Sequence, residues 1–161
     1  MEQQPKILFQ KMKYALLMRP VFNTEALFSD ETENFVSPME PAAGDKVKIR
    51  IRTQKDNADS VYFISGAVKK EMEREFQEGR FDYYVTEVEL GEEPLHYYFE
   101  IQNGQARCFY NRLGVSRDLQ QSRAFCITPG FSTPDWAKGA VMYQIFTDRF
   151  CNGDRENDVL D

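Results

Sequence analysis

The chain has 161 residues, 42% of them hydrophobic and 14% aromatic, and a formal net charge of −6. That length holds one domain of roughly 100–150 residues plus a tail, and the apolar content suits a packed core rather than a disordered chain. The acidic balance and the absence of a Lys/Arg cluster argue against nucleic acid and against an anionic membrane surface as partners, while a neutral ligand such as a carbohydrate is compatible with them.

In chain order, Met1–Lys13 is polar and lacks the apolar run of a signal peptide. No stretch is long or apolar enough to span a bilayer, so the cytoplasm is the expected location. Tyr14–Met18 is a short apolar strand candidate. Lys46–Thr53 alternates charged and apolar residues strictly, which gives a strand one wet and one buried face. Ser60–Ser65 is a further strand, ending at Gly66. In Val68–Gly79 the spacing of Val68, Met72 and Phe76 is helical, yet Met72, Arg74 and Phe76 also alternate against Glu71, Glu73 and Glu75. An extended edge segment is the expected outcome, because a turn and a strand follow at once. Phe81–Leu90 and Leu95–Gln102 are strands, the second setting Leu95, Tyr97, Phe99 and Ile101 against His96, Tyr98 and Glu100. Asn103-Gly104 predicts a tight hairpin into Ala106–Tyr110, and Arg123–Thr128 is a last strand. Many short strands with turn signals between them predict an all-β antiparallel sandwich.

Thr128–Pro134 contains two prolines and a glycine, which stop both helix and ladder and mark a linker. Beyond it, Gly139–Phe146 is nearly continuous in apolar character, like a strand buried on both faces in a parallel barrel. The expected organisation is therefore a sandwich over 1–128, a linker over 129–139, and the opening of a second domain over 140–161. Cys108, Cys126 and Cys151 are odd in number and form no CxxC pair, so neither a disulfide framework nor a zinc site is indicated.

The segment Val141-Met142-Tyr143-Gln144-Ile145-Phe146-Thr147-Asp148-Arg149-Phe150-Cys151-Asn152-Gly153-Asp154, with Asn157-Asp158 after it, resembles the start of the catalytic barrel in glycoside hydrolase family 13. The similarity is to its cyclomaltodextrinases, neopullulanases and maltogenic amylases. Arg19-Pro20, the Lys46–Thr53 strand, Phe81–Tyr84 and Leu95–Phe99 resemble the sandwich that precedes that barrel, a family 34 carbohydrate-binding module. Two departures stand out. Thr147 sits where proline is common, and Ser65–Lys69 carries no aromatic where relatives often place one near a neighbouring subunit's active site. The resemblance implies an immunoglobulin-like antiparallel β-sandwich followed by the truncated first strand of a (β/α)8 barrel. It also implies a parent enzyme that cleaves α-1,4 or α-1,6 linkages in maltodextrins, cyclodextrins or pullulan, and a homodimer in which the sandwich shapes the active site. A stand-alone α-glucan-binding module and a non-catalytic interaction domain are the competing expectations.

Asn152, Asp154, Asn157 and Asp158 bring four hard oxygen donors into seven residues. Ca²⁺ takes about six to eight such ligands, and the resemblance implies that these positions belong to a calcium loop completed by residues further along the parent. Glycoside hydrolysis with retention needs two carboxyl groups about 5–5.5 Å apart. The resemblance places its Asp, Glu and Asp on later barrel strands, so no catalytic residue is expected here. His96, beside Glu100, is expected to face solvent. For sugar stacking the candidates are Tyr62, Tyr84 and Tyr98, each expected to face away from the inner set of its strand, although tyrosines on a partly covered sheet also serve as cross-strand pairs. Trp136 is expected to pack the linker onto the second domain.

Overall fold

The computed structural model describes residues 21–144 together with residues 146 and 153. Its strands are β1 (Val36–Ser37), β2 (Lys46–Gln54), β3 (Ser60–Ser65), β4 (Val68–Glu71), β5 (Glu73–Glu78), β6 (Phe81–Glu89), β7 (Leu95–Asn103), β8 (Ala106–Asn111), β9 (Gly114–Ser116) and β10 (Phe125–Ile127). They form two antiparallel sheets. One runs β1-β2-β6-β5, and the other runs β4-β3-β7-β8-β9, with β10 on the first part of β7. The chain divides into two compact units, Met1–Phe131 and Ser132–Asp161.

Alternation places the core. Val47, Ile49 and Ile51 of β2 are fully buried, as are Val61 of β3 and Tyr97, Phe99 and Ile101 of β7. Tyr97 stacks on Phe63 at 5.4 Å and on Phe125 at 5.2 Å. Each large side chain so buried contributes about 1.5–3 kcal/mol. The hairpin after β7 centres on Gly104-Gln105, one residue later than the Asn-Gly pair predicts, because Asn103 still pairs with Ala106. Gly104 takes a φ of 60° there, which a residue without Cβ adopts freely.

Strand β6 inverts the usual pattern. Its inward residues are Asp82, Tyr84 and Thr86, all buried, while Phe81, Tyr83 and Val85 point outward. The inward carboxylate of Asp82 is satisfied locally. It accepts from the Asp56 amide at 2.8 Å and from Gln77 Nε2 at 2.6 Å. Asp82 thereby anchors the turn after β2, where Asp56 has a φ of 52°.

Segment 68–78 is extended, as the edge reading predicts, but it serves both sheets. β4 pairs with β3, β5 pairs with β6, and Met72 between them is buried in the core. In β5 the register slips between Arg74 and Phe76, leaving Glu75 as an extra residue. A bulge of this kind re-aims the following side chain, so Phe76 lies opposite outward-facing Tyr83 rather than on the side of Met72.

Past the sandwich, Asp135–Ala137 makes a single 3₁₀ turn, and Trp136 is 78% exposed. The expected barrel strand over 140–146 is not formed among the described residues. Val141, Met142 and Tyr143 are each more than 80% exposed. A parallel-barrel strand takes its hydrogen bonds and its burial from strands on both sides. The strand expected over Tyr14–Met18 falls outside the described residues.

Candidate functional site

The three tyrosines singled out from sequence divide between the two faces of the sandwich. Tyr62 and Tyr98 do lie together on the outer face of the larger sheet, in a small cluster with Ile64 and Phe109. Neither offers an open ring. Tyr98 is 8% exposed and meets Phe109 edge-on, and Lys69 Nζ sits 4.2 Å from the centre of the Tyr62 ring. Lys69 also donates to both oxygens of Glu100 at 2.9 Å, and Gln102 Nε2 donates to the same carboxylate at 2.6 Å. Burial pushes the Glu100 carboxyl up, but the bonds from Lys69 and Gln102 and the charges of Lys69 and Arg107 outweigh it, holding Glu100 below the usual carboxylate range. Burial, with the Glu100 charge, raises the Tyr98 phenol.

Tyr84 corrects the expectation. It points inward, joins the main core, and its hydroxyl reaches the Ala58 carbonyl at 3.5 Å. Burial and the Asp82 charge raise its phenol. The reason for the error is the inverted pattern of β6, where Phe81, Tyr83 and Val85 look like the core set and are not. His96 is exposed on β7, as expected. Asn152, Asp154, Asn157 and Asp158 lie outside the described residues, and among those described no group of acidic, His and Cys side chains has metal-ligand geometry.

The outer face of the smaller sheet carries what sequence reading missed. Phe35, Tyr83 and Phe76 form a continuous stack, with ring centres 6.4 and 4.5 Å apart. Phe28 meets Phe35 edge-on at 5.2 Å. Beside this stack, Arg52 of β2 is flanked on its two neighbouring chains by Phe28 and Phe81, whose ring centres lie 5.1 and 4.1 Å from the guanidinium carbon. Arg50, two residues earlier, is held differently. It makes a two-pronged ion pair with Glu75, with bonds of 2.5 and 3.0 Å. That pairing raises Arg50 and lowers Glu75 from their ordinary values, outweighing their burial. Two open grooves meet at Arg52. One, about 670 Å³, is lined by Asn23, Glu25, Lys55, Arg80 and Phe81. The other, about 540 Å³, is lined by Glu33, Asn34, Phe76, Glu78 and Tyr83.

One signal was available in the sequence: Phe81 and Tyr83 stand two apart, as do Arg50 and Arg52, so each pair shares a face. What put them side by side was the register Arg52 opposite Tyr83 and the bulge at Glu75, which no periodicity announces.

Comparison with known proteins agrees with this architecture. Residues 22–129 match the family described as alpha amylase, N-terminal ig-like domain. An amylopullulanase from Thermoanaerobacterium thermosulfurigenes is 36% identical over 97 residues, 52% of this chain and 5% of the relative. A cyclomaltodextrinase from Thermoanaerobacter pseudethanolicus is 27% identical over 150 residues, 83% of this chain and 26% of the relative. An intracellular maltogenic amylase from Bacillus subtilis is 28% identical over 163 aligned residues, 88% of this chain and 26% of the relative. Among solved structures, a cyclomaltodextrinase superposes with a TM-score of 0.57 at 28% identity, covering 85% of this chain and 26% of that one. A maltogenic amylase from S. marinus does so with a TM-score of 0.54 at 25% identity, covering 88% and 20%. The chain thus spans about a quarter or less of the length of these relatives. The match over 22–129 takes in every described strand, and the chain belongs to the α-amylase N-terminal immunoglobulin-like domain family.

Proposed function

We propose that the chain is the N-terminal part of an α-glucan hydrolase whose whole protein cleaves α-1,4 or α-1,6 linkages in maltodextrins, cyclodextrins or pullulan. The observation that carries this reading is similarity that covers more of the chain than the domain span alone. Relatives named cyclomaltodextrinase and intracellular maltogenic amylase align with 83% and 88% of this chain, more than the span 22–129 of the domain itself. In this reading the reacting carboxyls lie on later barrel strands, and residues 1–161 alone release no sugar. Full-length protein should generate new reducing ends from maltoheptaose, β-cyclodextrin or pullulan. A folded full-length preparation inert on all three overturns the reading.

Within that enzyme we assign the sandwich to subunit pairing and to narrowing the active-site entrance. Full-length protein lacking residues 1–128 should then sediment as a monomer, and an unchanged dimer would refute this role. Calcium at Asn152, Asp154, Asn157 and Asp158 belongs to the same proposal, supported by their donor chemistry, since carboxylates and amide oxygens suit that ion. In the full-length enzyme Asp154→Ala should abolish the calcium-dependent rise in melting temperature. A cytoplasmic setting is proposed as well. It is supported by the intracellular name of the Bacillus relative.

A further inference from the structure

We propose that Asn103-Gly104 is a deamidation site that the fold keeps closed, and that its reaction loosens the hold on the chain entering at Val21–Asn23. The inference does not depend on the function proposed above.

The reaction needs only this dipeptide and water. The Gly104 nitrogen, after giving its proton to hydroxide, attacks Cγ of the Asn103 side chain. A C–N bond forms and the bond from Cγ to Nδ2 breaks. Nδ2 takes a proton from water and leaves as ammonia, which restores the hydroxide. Water then opens the five-membered imide to aspartate, or to its isomer linked through the side chain. Glycine favours the attack, because it has no Cβ to crowd the approach, and Gly104 is exposed to solvent.

The fold opposes each part of this step. The Gly104 amide donates to Asp59 Oδ2 at 2.6 Å. A hydrogen bond to a carboxylate is about twice as strong as a neutral one, and the negative charge beside the nitrogen disfavours the amide anion that must form. Asp59 is placed by its own backbone amide, which donates to the Gln102 carbonyl at 2.8 Å. Asn103 Nδ2 donates to the Asn57 carbonyl at 2.7 Å, which ties down the group under attack. Asn103 also pairs with Ala106 as the last rung of the hairpin, so its peptide plane with Gly104 is restrained.

The effect of the reaction follows from Asn57, which is fully buried. Its side chain accepts from the Asn23 amide at 2.7 Å and donates to the Val21 carbonyl at 3.1 Å. An ionised carboxylate at position 103 has no proton to donate, and it sets negative charge against the Asn57 carbonyl. The loop that carries Asn57 then loses its tie to the hairpin, and Val21 and Asn23 lose a fixed partner.

Peptide mapping of the 161-residue chain during incubation in mildly alkaline buffer tests this, read as aspartate and isoaspartate gained at position 103. The folded chain should convert about tenfold or more slowly than the chain in guanidinium chloride. Folded Asp59→Ala should convert about tenfold faster than the folded parent. Asp59→Asn keeps an acceptor without the charge and should fall between them, and it decides the matter if the alanine variant does not fold. Melting curves show which variants are folded. Asn103→Asp, which installs the product, should speed deuterium exchange at the Asn23 amide. Equal rates in folded and unfolded parent, or folded Asp59 variants no faster than the parent, would overturn the closed site. Slower conversion in those variants would overturn it too, since the carboxylate would then be promoting the reaction. Unchanged Asn23 exchange in Asn103→Asp would overturn the loosening.

Discussion

Tyr97 carries a hydroxyl into the centre of the sandwich, where the residue is fully buried and its oxygen finds no hydrogen-bond partner among the described residues. Burial pushes the phenol far above its ordinary range, so the group stays neutral. Leaving a buried hydroxyl unpaired costs about 1–3 kcal/mol, and the ring packing on Phe63 and Phe125 does not need it. Tyr97→Phe should therefore raise the unfolding free energy by roughly 1 kcal/mol in urea denaturation, and a loss of stability would reveal a partner for the hydroxyl. Glu100 is the opposite case, a buried charge that is fully paired. Its folded-state value lies below the ordinary 4.5, so the unfolded chain takes up the proton first as pH falls. The stabilisation from Glu100 is complete above 4.5 and is lost as pH drops through the lower folded value. The stability difference between the parent chain and Glu100→Gln should be largest near neutrality and should shrink in acid below 4.5, as followed by urea titrations at several pH values. Cys108 adds a third burial effect: its thiol is pushed up to about 11, which keeps the nucleophilic thiolate scarce.

At the scale of elements, the segment 68–78 decides how the sheets join. Met72 is 4% exposed at the crossing point, and Met72→Ala should cost about 2–5 kcal/mol, as removal of a packed core side chain does. The bulge makes a second prediction. Glu75→Ala removes the pair with Arg50, and deleting Glu75 removes the same pair while leaving Phe76 next to Arg74 and still opposite Tyr83 in simple alternation. Deletion should therefore lower the denaturation midpoint about as much as the alanine substitution. This segment also shows how far the sequence could be read. β2, β3 and β7 were legible because each buries one chemically uniform face, as Val47, Ile49 and Ile51 do. β6 misled because Asp82 and Thr86 face inward beside Tyr84, so the face of Tyr84 was assigned wrongly. β1 and β9, two and three residues long, are too short to carry a period. The aromatic row on the smaller sheet was illegible because its members come from four separate chain segments and meet only through register.

For the molecule as a whole, the core cluster draws all its members from residues 27–127, and the first compact unit ends at Phe131. Residues 1–131 alone should thus melt in one cooperative transition within a few degrees of the full chain, as read by calorimetry. A broad or lost transition would mean that the sandwich depends on residues beyond Phe131 for its stability. The adjacent apolar residues Val141, Met142 and Tyr143 are 89%, 85% and 84% exposed, and contiguous surface of this kind promotes association. The 161-residue chain should show a sedimentation coefficient that rises with concentration, and its 1–131 version should not.

The crossing at Met72 has a mechanical consequence. Among the described strands, one unbroken length of backbone forms the outer rail of both layers, so prising the layers apart must strain that rail before any other covalent link between them slackens. Amide hydrogens of β4 and β5 are therefore expected to exchange with deuterium as one cooperative unit, rather than fraying separately as two independent margins would.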